Sequence, residues 1–311
     1  MQNQCLGLAE RLDMPVRTFA VRLKAPWRWL APHKRGLALR HLAESSDRLQ
    51  PPWPRVLIAC GRQSIPVSMA VKRVSPGTLT VQCQNPRIDA RNFNLVVPPE
   101  HDRISGAHIF PIVGSPNRVS PARLAQARRE FAGRFSSMPT PRVAVLIGGS
   151  SKTHGRLGPS EARALGRALH DIAKTASLMV TTSRRTDPQV KAILLHALAD
   201  TGAYVWDGAE PNPYLGLLAF ADAIVVTADS VNMACEAGAT GKPVHVFRLP
   251  RATAKSRRFH ESLMKRGVTR PFAGHIEAWS YPPLDETGRA AERIKALLDA
   301  STAAAIGQIR S

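Results

Sequence analysis

Short apolar runs bounded by glycine or proline recur along the second half of the chain, and stretches with helical spacing separate them. Residues 142–147 (RVAVLI) run into Gly148-Gly149, the pattern of a buried strand leading to a loop. Pro159-Ser160 opens a helix whose apolar positions, Ala162, Leu165, Leu169, Ile172 and Ala176, recur near the helical period. Residues 177–182 form a second strand. Asp187-Pro188 supplies a cap and a first-turn proline for a helix reaching about residue 200. A third strand is predicted over 203–206, a short helix over 213–220, and a fourth strand over 223–227. Ser230 caps a helix ending near Thr240, and a fifth strand covers 244–247. Strands alternating with helices specify a parallel sheet covered on both faces.

The first half repeats the pattern more faintly. Residues 55–60 (RVLIAC) lead into Gly61 and a helix over 65–73, with strands at 78–83 and 94–97 and an arginine-rich helix over 121–135. A helix over 4–12 precedes them with no strand before it, so the first lobe is expected to lack its opening unit. The turn-rich stretch 136–141 (SSMPTP) reads as the linker. The fold expected is α/β with two Rossmann-like lobes and parallel sheets. Its divisions are an N-terminal lobe over 1–138, facing acceptor and membrane, a C-terminal nucleotide-side lobe over 139–284, and a C-terminal helix and tail over 285–311.

Length and composition agree with a globular chain: 311 residues, 44% hydrophobic and 21% charged. Charge is the outlying quantity. Lys and Arg number 43 against 23 Asp and Glu, a net +20. Residues 1–140 hold 21 basic and 8 acidic residues, so most of the excess lies there. Such a balance calls for an anionic partner: phosphorylated small molecules, an anionic membrane surface or nucleic acid. Nucleic acid is the weakest of these, since no recognised nucleic-acid motif is present. Cys5, Cys60, Cys83 and Cys235 lie far apart in the chain without metal spacing, which argues against a zinc site or disulfide scaffold and for a reducing compartment. No apolar run is long enough to span a bilayer.

In an open parallel sheet, ligands bind beyond the carboxyl ends of the strands. The loops predicted there suit phosphate. Gly148, Gly149 and Ser150 open a run (GGSSKTHG) that offers backbone N–H groups, hydroxyls and the Lys152 charge, although it is neither a Walker A loop nor GxGxxG. Ser183, Arg184 and Arg185 bring two guanidiniums to the second strand end. Ser230 and Asn232 put a helix N-terminus, with its partial positive charge, at the fourth. Glu236, one turn after Asn232, is the candidate partner for ribose hydroxyls. Each taken alone has a plain alternative: a surface turn, a solvated basic pair, an ordinary cap, an exposed helix glutamate. Their convergence on one sheet edge carries the reading.

Two basic stretches concern surfaces. Residues 17–40 hold seven cations and no acid, and Arg22, Lys24, Trp27, Arg28 and Trp29 form a candidate membrane surface, with a buried aromatic pair as the alternative. Residues 248–270 hold eight cations and only Glu261. His101 and Asp102 are the candidate acid–base pair of the first lobe, against an ordinary histidine in a turn.

Several runs resemble the mitochondrial-fission "elongated mitochondria" (Elm) family, whose bacterial members are described as nucleoside-diphosphate-sugar enzymes. They are 3–10 (NQCLGLAE), 81–89 (VQCQNPRID), 97–102 (VPPEHD), 147–150 (IGGS), 182–185 (TSRR), 227–237 (TADSVNMACEA) and 241–244 (GKPV). Relative to that family the chain begins late. The resemblance implies a GT-B glycosyltransferase-like fold of two Rossmann-like lobes with a nucleotide sugar in the cleft between them. It implies Glu236 on the ribose, and Gly149, Ser150, Ser183 and Ser230 near the diphosphate. The function it implies is sugar transfer from a nucleoside-diphosphate sugar to an acceptor, without a metal or further cofactor. The alternative is a non-catalytic scaffold docking on a membrane surface or protein. The expected location is cytoplasmic, with peripheral association at the inner membrane face.

Overall fold

The computed structural model describes residues 1–32, 38–149, 155–209 and 211–310. The chain divides into two units. Unit 1 comprises Met1–Arg118 together with the chain from Glu286 onward, and unit 2 is Val119–Asp285.

Unit 1 holds a parallel sheet in the order β1 (Val56–Cys60), β2 (Leu79–Cys83), β3 (Leu95–Val97), with Cys60 opposite Cys83 and Cys83 opposite Val97. Helix α1 (Gln2–Ala9) packs on β1, α2 (Trp27–Leu30) is a single turn, and α3 (Ser64–Val74) covers β1 and β2. Leu8, Val81, Leu95 and Ile112 form the core with Ala290, Ala291 and Ile294 of the last helix, α11 (Glu286–Arg310). The start of α11 is pinned by polar contacts: Glu286 Oε2 accepts from Val113 N at 2.6 Å and Thr287 Oγ1 from Asn117 N at 3.0 Å. The chain from Glu286 onward therefore belongs with unit 1 rather than standing as a separate tail.

Unit 2 is built on six parallel strands: β4 (Arg142–Ile147), β5 (Ser177–Thr182), β6 (Tyr204–Val205), β7 (Ala223–Thr227), β8 (Val244–Phe247) and β9 (Thr269–Pro271). Their order is β6-β5-β4-β7-β8-β9. Val143 through Ile147 of β4 have no solvent exposure, which is why that run is unbroken apolar. The helices are α4 (Pro121–Glu130), α5 (Ala132–Phe135), α6 (Pro159–Ala173), α7 (Pro188–Ala197), α8 (Tyr214–Phe220), α9 (Val231–Gly238) and α10 (Ala254–Lys265). Side-chain caps start several of them. Asp187 accepts from Gln189 N at 3.0 Å and Ser230 from Met233 N at 3.3 Å. Ala162, Leu165, Leu169 and Ile172 are the buried face of α6, as their spacing predicts.

The division between units falls after Arg118, not at the expected 138. Helix α4 packs on α8, where the Arg128 guanidinium lies 4.9 Å from the Phe220 ring centre and donates to the Ala219 carbonyl. The turn-rich stretch 136–141 is therefore internal to unit 2.

Candidate functional site

Because the strands of unit 2 are parallel, the ends of β4, β5 and β7 share one edge. Hydrogen bonds knit the three loops that leave it. Gly148 N donates to Thr227 Oγ1 at 2.7 Å, and Thr227 Oγ1 donates to Asp229 Oδ1 at 2.6 Å. From β5, Thr186 Oγ1 donates to Gly148 O at 2.8 Å and Ser183 N to Ile147 O at 2.8 Å. A fixed cradle results, rather than three separate turns.

Both glycines are dictated by close approach. A Cβ on Gly148 would lie 2.3 Å from Asp229 Oδ1, and one on Gly149 would lie 2.4 Å from the Arg185 Cβ. Ser183 Oγ accepts from Arg185 N at 3.2 Å, shaping a turn that leaves Arg184 and Arg185 exposed. Ser230 is the cap of α9 and Asn232 is exposed in its first turn. Gly148, Gly149, Ser183, Arg184, Arg185 and Ser230 thus fall on one edge, while Ser150 and Lys152 lie outside the described residues.

Glu236 is about 9 Å along the α9 axis from Ser230, at 1.5 Å per residue. It is half-buried, and its Oε2 accepts from Tyr214 Oη of α8 at 2.6 Å. Burial pushes its carboxyl up to about 7, against a downward pull from the Tyr214 hydrogen bond. The Tyr214 hydroxyl is held well above its ordinary value by burial and then by the Glu236 charge. Tyr214 engages one of the two carboxylate oxygens of Glu236, Oε2.

Two groups at the edge were not singled out from the sequence. Asp229 is buried, its Oδ2 is without a hydrogen-bond partner among the described residues, and burial raises its carboxyl. His260 reaches the same place from α10, with Nε2 2.9 Å from the Ala228 carbonyl and its pKa lowered by burial. The basic run 248–270 is thus largely a helix, with Phe259 and Leu263 inward and Arg257, Lys265 and Arg266 exposed.

In unit 1, His101 and Asp102 sit in a single 3-10 turn after β3, His101 buried and Asp102 half-buried. The cationic stretch separates by direction. Trp27 is half-buried, stacked on His41 with ring centres 4.5 Å apart and packed with Leu23, Ala31 and Val67. Trp29 is 61% exposed and carries the Arg28 guanidinium 4.8 Å over its ring. Arg22, Lys24 and Arg28 are exposed. Among the described residues no helix is long and apolar enough to cross a membrane.

Residues 1–298 match the family model described as "Mitochondrial fission ELM1". A relative of that description from Arabidopsis thaliana, Mitochondrial fission protein ELM1, is 36% identical over 271 residues. That match covers 78% of this chain and 63% of the relative, so the chain spans less than two thirds of the relative's length. Among solved structures, UDP-GlcNAc 2-epimerase from Methanocaldococcus jannaschii superposes with a TM-score of 0.55 at 14% identity, covering 79% of this chain and 77% of that one. A structure of that epimerase in complex with UDP-GlcNAc and UDP gives 0.50 at 15% identity, with 79% and 76% covered. The likeness is one of fold: α/β, with two parallel sheets of the GT-B-like, Rossmann-like kind.

Proposed function

The chain belongs to the Mitochondrial fission ELM1 family, and from that premise we propose that unit 2 binds a nucleoside-diphosphate sugar at the carboxyl edge of its sheet. The carrying observation is the hydrogen-bonded cradle joining Gly148, Thr186, Thr227 and Asp229, with two exposed guanidiniums beside it. The Gly149 backbone N–H and the N-terminus of α9 supply positive dipoles for a diphosphate. Arg184 and Arg185 supply full charge. Glu236 takes the ribose hydroxyls through the oxygen that Tyr214 does not occupy. The solved epimerase complex with UDP-GlcNAc and UDP supports this reading through its fold.

The reaction that suits such a site is sugar transfer. The anomeric carbon–oxygen bond to the diphosphate breaks as an acceptor hydroxyl bonds to that carbon, and the departing charge is met by the α9 dipole and Arg184 or Arg185. His101 and Asp102 are the proposed acid–base pair for the acceptor proton, a role that requires the buried imidazole to become accessible. Titration calorimetry with UDP, GDP and ADP sugars tests the binding step. Saturable heat, lost in Glu236→Ala, is expected; no heat with any of them refutes it.

A second reading rests on Trp29. An exposed tryptophan beside exposed Leu30 and the cations Arg22, Lys24 and Arg28 suits an anionic bilayer surface at which the protein serves as a peripheral, non-catalytic scaffold. Flotation with anionic vesicles, combined with absence of sugar transfer, favours it.

A further inference from the structure

The fold gathers three cysteines that the chain keeps apart. Cys60 ends β1, Cys83 ends β2 as its register partner, and Cys5 on α1 packs with both in one core cluster, beside Gln4, whose Oε1 accepts from Cys60 Sγ at 3.3 Å. Cys5 and Cys60 are half-buried, whereas Cys83 has no solvent exposure. Cys235 is in unit 2, outside this cluster. Among the described residues no group of three or more ligating side chains is placed to hold a metal ion.

We propose that Cys5 and Cys60 form a site of reversible oxidative modification, closing to an intramolecular disulfide that ties α1 to the end of β1. Access selects this pair, because Cys5 and Cys60 are partly exposed residues whereas Cys83 is fully buried. Cys60 and Cys83, register partners on neighbouring strands, include one residue with no solvent exposure.

The chemistry balances with a two-electron oxidant. With the azo compound diamide, one thiol adds across the N=N bond, and the second sulfur then attacks the first. An S–S bond forms and the S–N bond breaks. The two thiol hydrogens end on the two nitrogens, so two thiols are oxidised and one azo group is reduced to a hydrazine. Hydrogen peroxide takes the same two electrons and yields two waters.

The surroundings set the rate. Cys60 beside it pulls the Cys5 thiol down, but Cys83 and burial push harder, and the balance lies above the ordinary value. Cys60 is also raised, by its contact with Cys5 and by burial. A thiol kept protonated attacks slowly, and a sulfur of high pKa leaves slowly when the bond is reduced. The raised thiols slow the modification in both directions. It acts just before Gly61, whose φ of +103° turns the chain away from the strand and whose neighbour in space is the Met1 sulfur.

Diamide treatment of the full chain, followed by acid quench, alkylation and tryptic mass mapping, tests the proposal. The expected product is monomeric, lighter by two hydrogens, with peptide 1–11 joined to peptide 56–62 and the Cys83 and Cys235 peptides alkylated. Dithiothreitol restores four alkylated cysteines. Cys235→Ser leaves the link intact, and Cys5→Ser and Cys60→Ser each remove it. Mapping on the wild type decides the matter even where a variant folds poorly. Four alkylated cysteines at an excess of diamide, or a link joining peptides 1–11 and 74–87 or two copies of the chain, would overturn it.

Discussion

Tyr214 Oη donates a 2.6 Å hydrogen bond to Glu236 Oε2, joining the first residue of α8 to the second turn of α9 across 22 positions of sequence. The bond fixes the carboxyl and opposes the rise in its pKa that burial causes. A hydrogen bond to a charged group is worth about 1.5–3 kcal/mol. Tyr214→Phe should therefore weaken nucleotide binding by roughly tenfold or more and move its pH dependence upward, because Glu236 then titrates higher. Calorimetry across pH reads both effects. A fall in affinity without an upward move of the profile would mean that Tyr214 only packs.

Stability should carry the same signature. The Glu236 carboxyl, near 4.5 when unfolded, is raised to about 7 in the fold. A raised acid favours the folded state fully below its unfolded pKa, and that contribution is lost as pH climbs through the folded one. The melting temperature of the wild type, relative to Glu236→Gln, should fall between pH 5 and pH 8. Parallel melting curves for the two proteins would contradict this.

Gly148→Ala should destabilise unit 2, since its Cβ would fall 2.3 Å from Asp229 Oδ1. Overpacking of this kind costs about 1–3 kcal/mol. Shortening the neighbour in a Gly148→Ala, Asp229→Ala double variant should recover part of the loss, and a double-mutant cycle by chemical denaturation measures the coupling. Additive effects would show that the loop simply moves aside.

The two tryptophans should part company under substitution. Trp27→Ala removes a ring stacked on His41 and is expected to lower the melting temperature. Trp29→Ala alters an exposed ring and should change stability by no more than about 0.5 kcal/mol. If this surface meets anionic bilayers, Trp29→Ala and Arg28→Ala reduce vesicle flotation while Trp27→Ala acts through folding alone. Equal flotation by wild type and Trp29→Ala would remove the scaffold reading.

The strands of unit 2 were legible because strands buried on both faces carry apolar runs such as 178–180 and 223–226, and the predicted 177–182 and 223–227 coincide with β5 and β7. Strand β9 was missed, being three residues that include Arg270 and Pro271. Helix α10 was hidden within its charge, with Phe259 and Leu263 as sparse markers of a buried face. The phosphate-compatible loops were readable because parallel topology assigns their edge in advance. Tyr214 was not, since α8 meets α9 only in three dimensions. Asp229 lay in plain view within a quoted run, yet its burial against Gly148 has no local signal. The three-cysteine cluster was invisible for the same reason: strand register alone brings Cys60 opposite Cys83.

The most direct measurement is a crystal structure of the full chain soaked with UDP or a UDP sugar. The diphosphate is expected against Gly149, Ser183 and the start of α9, with a ribose hydroxyl on the Glu236 oxygen that Tyr214 leaves open. A nucleotide bound elsewhere, or none at a concentration that saturates calorimetry, would contradict the assignment of this edge as the donor site.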